Sequence, residues 1–131
     1  MAPQRLHSAG VALLLLAGNH DSVATLGESR ALLAVLNTTV VAAVGTPEDH
    51  VVVLPQRDGE PGCIVCAVPF IRPGDVLQSQ AGQSAQDKQQ AMQLAIAAYY
   101  QAVHAAGRAR QAELQTTLGR TVPIMATGHL T

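Results

Sequence analysis

The stretch Val11-Ala-Leu-Leu-Leu-Leu-Ala-Gly-Asn-His-Asp21 sets the reading of this chain. Seven apolar residues, 11–17, run straight into four turn-forming or polar ones. A membrane helix needs about 20 apolar residues, so the run is too short to span a bilayer. Arg5 and His7 precede it as they would in a secretory leader, but no small-x-small cleavage site follows. A short unbroken apolar run bounded by turn signals reads instead as a fully buried parallel strand. Gly18 then allows a sharp backbone turn, and Asn19, His20 and Asp21 occupy a loop at the strand's carboxyl end.

Outward from this stretch, residues 1–10 read as the end of a helix stopped at Gly10. On the other side, Thr25 and Glu28 have the spacing of a capping box, and Leu26, Leu33 and Leu36 continue at helical spacing to residue 36. Three Val-rich strands are expected at 38–44, 51–54 and 63–70, with turns at 45–49 and 57–62 and a hairpin at the centre. Pro69 and Pro73 close this group and open a loop over 71–83. Ser84 with Asp87 starts a long helix whose apolar face is Met92, Ile96, Tyr99, Val103 and Ala106. Ten of the twelve Gln lie between 78 and 115, which leaves the opposite face polar but uncharged. Gly107 is expected to interrupt this helix and Gly119 to end it. A last strand spans 122–127, with Gly128 and His129 at its carboxyl end. The order helix, strand, helix, strands, helix, strand is that of an α/β protein with mixed-sheet strands flanked by helices.

Composition excludes several functions. The 131 residues are 48 % hydrophobic and 13 % charged, with a net charge of −1, which excludes a disordered charged tail. Eight Lys and Arg against nine Asp and Glu give no basic surface for autonomous nucleic-acid binding. Phe70, Tyr99 and Tyr100 are the aromatic residues, too few for a base-stacking platform. Cys63 and Cys66 form a single C-x-x-C, whereas a structural zinc site needs four ligands. Within a strand they are read as two small reduced thiols facing opposite sides rather than as a redox or metal pair.

Of the five histidines, His7, His50 and His104 are expected at the surface. His20 and His129 differ, because each follows a glycine or a Gly-Asn pair at the carboxyl end of an apolar strand, where open α/β sheets bind ligands. An Asn amide oxygen suits a hard or borderline divalent metal, His can ligate metal or move a proton, and Asp can fix a neighbouring imidazole's tautomer. A plain polar turn with a capping Asp would have the same spacing.

Residues 16–26, Leu-Ala-Gly-Asn-His-Asp-Ser-Val-Ala-Thr-Leu, resemble the G-N-H-D/E motif of the calcineurin-like metallophosphoesterases. More narrowly, the chain is similar to the bacterial DNA nuclease subunits of that superfamily. The similarity runs through Glu28-Ser-Arg30, Leu36–Ala42, Arg57-Asp-Gly59, Pro69-Phe-Ile-Arg-Pro73, Ser79–Gly82, Lys88-Gln-Gln90, Tyr99-Tyr100 and Ala126–Thr131. It implies a partial metallophosphoesterase sandwich over residues 1–131, with no complete second domain. It also implies two-metal phosphodiester hydrolysis, with manganese the expected ion. Asn19 and His129 would be metal ligands, His20 the acid that stabilises the leaving oxygen, and Asp21 the residue that orients His20. The implied activity is ATP-dependent double-strand exonuclease and single-strand endonuclease action in DNA recombination, replication, repair and hairpin processing. The implied partners are an ATPase subunit, a second copy of the nuclease subunit and DNA, in the cytoplasm. Alternatives are a degenerate non-catalytic domain of the same fold and a small-molecule phosphodiesterase.

The superfamily pattern opens on an Asp-x-His and a later Gly-Asp and closes on a Gly-His-x-His. Asp-x-His and Gly-His-x-His are absent, and Gly74-Asp75 falls after the Asn-His motif, out of order. The chain is therefore expected to be an internal fragment that lacks the first strands and the C-terminal part of the domain.

Overall fold

The computed structural model of the chain describes residues 2–18, 30–77 and 81–129. Helix α1 (Ala2–Ser8) is closed by Gly10 in the left-handed region, φ 74°. The Gly10 and Val11 amides donate to the His7 and Leu6 carbonyls at 2.9 and 2.8 Å, the paired bonds of a Schellman end. Strand β1 (Leu13–Leu16) pairs in parallel with β2 (Thr38–Val41), Leu13 opposite Thr38 and Leu16 opposite Val41. The crossover between them includes α2 (Arg30–Val35), which ends at Asn37 with φ 56°. Asn is among the few side chains that adopt this conformation readily.

The central hairpin forms as expected. A 3₁₀ turn (Pro47–His50) leads into β3 (Val51–Pro55), which pairs antiparallel with β4 (Pro61–Cys66). The hairpin tip is held by Gln56 donating to the Glu60 carbonyl at 2.7 Å and by Glu60 donating to the Asp58 carboxylate at 2.9 Å. Strand β5 (Ile124–Ala126) pairs in parallel with β4, which gives a mixed three-stranded sheet in the order β3-β4-β5.

Alternation along β4 sorts the core into two layers. Cys63, Val65 and Ala67 face Val41, Leu14 and Leu16 of the β1–β2 sheet. Ile64, Cys66 and Val68 face the other way, onto a long helix, α4 (Ala85–Leu118), through Val103 and Leu114. The molecule is thus a mixed α/β sandwich of two sheets with α4 on the outer face of the second. The two cysteines are free and lie on opposite faces of β4, Cys66 buried and Cys63 half-buried.

Four expectations need correction. Gly107 does not interrupt α4, which runs unbroken for 34 residues, about 50 Å. Gly107 is buried, and a Cβ there would lie 2.7 Å from Cys66 Sγ, so the glycine lets helix and strand approach closely. Leu13–Leu16 are half-buried rather than fully buried, since among the described residues β1 has one paired neighbour, β2. The expected loop at 71–83 contains a helical turn, α3 (Pro73–Val76), set by the Arg72 amide donating to the Asp75 carboxylate at 2.7 Å. His50 is buried rather than at the surface. The ends of α4 are as read: the Ser84 hydroxyl accepts from the Asp87 amide at 3.1 Å, and Gly119 closes the helix at φ 72°. Among the described residues no helix is long and apolar enough to cross a membrane.

Candidate functional site

The carboxyl ends of β1, β4 and β5 are tied together by backbone bonds. Ala17, buried just past β1, donates to the Val41 carbonyl at 3.1 Å, and its own carbonyl accepts from the Phe70 amide at 2.9 Å. Thr127, just past β5, donates its amide to the Cys66 carbonyl at 3.0 Å, and its hydroxyl accepts from the Val68 amide at 3.3 Å. The segment after β4 is therefore fixed on one side to the exit of β1 and on the other to the exit of β5.

Phe70 occupies the junction. Its ring meets His129 edge to face, with centroids 5.4 Å apart and planes at 82°. The Arg72 guanidinium carbon lies over the same ring, 5.6 Å from its centroid. A cavity of about 320 Å³ opens beside them, lined by Ile71, Met92, Ile96 and Tyr100 as well as Phe70 and His129. Gly128 has a steric role here, because a Cβ at that position would lie 2.9 Å from the Tyr100 hydroxyl. The Gly-His pair thus lets the chain pass under Tyr100 and sets His129 against Phe70.

Of the four residues singled out in the sequence, His129 is placed, half-buried, at the carboxyl end of β5. Asn19, His20 and Asp21 lie outside the described residues; in the sequence they follow Gly18 and Ala17, whose carbonyl holds the Phe70 amide. Among the described residues, no three His, Cys, Asp or Glu side chains come together as a metal centre would require. The described residues thus do not by themselves fit a pair of metal ions.

His50 is the polar residue that sequence reading missed. It is 1 % exposed, and both ring nitrogens are bonded to backbone. Nε2 accepts from the Gly45 amide at 3.0 Å, so the proton sits on Nδ1 and is donated to the Ala67 carbonyl, also at 3.0 Å. Tyr99 stacks on it edge to face at 5.9 Å and donates its hydroxyl to the Gly45 carbonyl. Burial lowers the His50 pKa from 6.5, against the Ala67 bond and the Asp49 charge, which act the other way. Burial, with the Asp49, Asp75 and Glu48 charges, pushes the Tyr99 phenol up to about 12. The acidic neighbours Glu48 and Asp49 pointed to a surface position. The signal that points inward is that residue 50 directly precedes a Val-rich strand. Together His50 and Tyr99 pin the 45–49 turn beside a cleft of about 610 Å³ that Thr38, Thr39 and Arg30 also line. His7 and His104 are exposed, as expected.

No family model matches the chain. It is similar to two curated proteins named as the SbcD component of the nuclease SbcCD, from Escherichia coli K12 and from Escherichia coli O157:H7. Each is 48 % identical over 126 residues, which is 96 % of this chain and 29 % of the relative. The chain therefore matches under a third of the length of these relatives, almost end to end on its own side.

Proposed function

We propose that this chain is the segment of an SbcD-type nuclease that it resembles, carrying part of the domain that hydrolyses DNA phosphodiesters. The supporting observation is the junction at Phe70. One residue, Phe70, joins the exit of β1, which Asn19, His20 and Asp21 follow in the sequence, to His129 at the exit of β5. The exit of β1 and His129, far apart in sequence, meet at one end of the sandwich, where α/β sheets bind ligands.

The roles follow from the chemistry of the side chains. His20 in its protonated form would donate to the leaving oxygen as a general acid. Asp21 accepts from the His20 ring and so fixes its tautomer. Asn19 and His129 offer an amide oxygen and an imidazole nitrogen to a divalent metal pair, manganese the expected ion. Two donors do not complete such a site, so this reading needs further carboxylate and imidazole ligands from the parts of the relatives that the match does not reach. An SbcC-type ATPase and a second copy of the nuclease chain are the proposed partners, which accords with a segment whose charge of −1 gives it no basic surface of its own.

The test is a hybrid in which this chain replaces the matching 126 residues of the Escherichia coli SbcD chain, assembled with its partner. The expected result is manganese-dependent cleavage of linear duplex DNA. A hybrid that assembles and stays inactive would overturn the reading.

A further inference from the structure

Arg72 sets its charge against an aromatic ring rather than against an acid. Its backbone amide caps α3, but among the described residues its guanidinium forms no ion pair. The nearest acid along the chain, Asp75, has a carboxylate oxygen engaged with the Arg72 amide. The guanidinium instead lies over the Phe70 ring, which also meets His129 edge to face. A guanidinium that lies against a ring and forms no ion pair keeps N–H donors for a further partner. That planar fork matches two oxygens of a phosphate. The position is also fixed, because Phe70 is bonded to Ala17 at the exit of β1 and Pro73 follows immediately.

We infer that Arg72 is a phosphate-binding residue: it holds a backbone phosphodiester of the nucleic-acid strand that passes the His129 end of the sandwich. This rests on the nuclease reading and extends it by naming a residue that grips substrate without ligating metal. Phe70 is the positioning residue that holds His129 and Arg72 in register with each other.

The experiment has two arms. In the hybrid nuclease with its partner, Arg72→Gln raises KM for a short single-stranded DNA substrate about tenfold and leaves kcat within about twofold. Arg72→Lys, which keeps the charge but not the fork, recovers part of the loss. Arg108→Gln, an equal charge change on the exposed face of α4, leaves both constants unchanged. In the second arm the same hybrid with its partner, without added metal, is titrated with the octanucleotide dT8 and, separately, with inorganic phosphate, while NMR follows the Arg72 Nε–H and Phe70 ring signals. Both signals move with dT8, and the Phe70 response is lost in Arg72→Gln. The inference falls if Arg72→Gln changes KM no more than Arg108→Gln does. It also falls if Arg72→Gln lowers kcat alone, or if inorganic phosphate moves the two signals and dT8 does not. An inactive hybrid whose chain still shows the Arg72-dependent dT8 response overturns the nuclease reading and leaves this phosphodiester site standing.

Discussion

His50 is a neutral imidazole held between two backbone groups, and that arrangement has a direct consequence for pH. Protonating Nε2 destroys its capacity to accept from the Gly45 amide. Because burial lowers the folded pKa, the unfolded chain takes up the proton first as pH falls below 6.5. The stability that His50 contributes is therefore complete above 6.5 and declines as pH falls from there through the lowered folded value. Urea denaturation at about pH 7.5 and about pH 5, on either side of that range, should show this loss, and His50→Gln should flatten that part of the dependence. An unchanged slope in the variant would show that the imidazole is not the group responsible. Tyr99→Phe removes the bond to the Gly45 carbonyl and should cost about 1 kcal/mol in the same assay.

At the scale of elements, α4 shows what sequence can and cannot tell. Its start at Ser84, its end at Gly119 and its apolar face were legible because each depends on residues within a turn or two of one another. Gly107 was misread because its reason lies on another element: Cys66 Sγ occupies the space a methyl group would need. Elsewhere in a helix, Gly→Ala gains up to about 1 kcal/mol. Here Gly107→Ala should destabilise by about 1–3 kcal/mol, as overpacking does. Adding Cys66→Ala should restore most of the loss in thermal melts. If the double variant is no better than Gly107→Ala alone, the contact with Cys66 is not the cause. The same distinction explains the candidate site. The Gly-His segment at the end of β5 could be read from 126–129, but the Phe70 bridge from it to the exit of β1 acts through space. So does the burial of His50, whose partners Gly45 and Ala67 lie on separate segments.

For the molecule as a whole, both sheets are thin. Among the described residues, β1 pairs with β2 alone, and β5 is an edge strand with Met125 57 % exposed. Leu32 and Val35 on α2 are 69 % and 75 % exposed. Open edges and exposed apolar side chains favour association. The 131-residue chain by itself should sediment as a concentration-dependent mixture, and a monomer with a sharp cooperative melt would contradict this. On the proposed reading, in which Asn19 and His129 are two donors of an incomplete metal site, the isolated chain should also cleave no linear duplex DNA with manganese present.

Whether Asn19, His20 and His129 are working parts of a nuclease site at one end of this sandwich is decided by one assay. It is manganese-dependent duplex cleavage by the partnered hybrid, unmodified and with His20→Ala or His129→Ala. The unmodified hybrid should be active, and each variant should lose at least about a hundredfold, the scale of a removed acid or ligand. Variants that fold, assemble and cleave DNA at the unmodified rate would refute those roles.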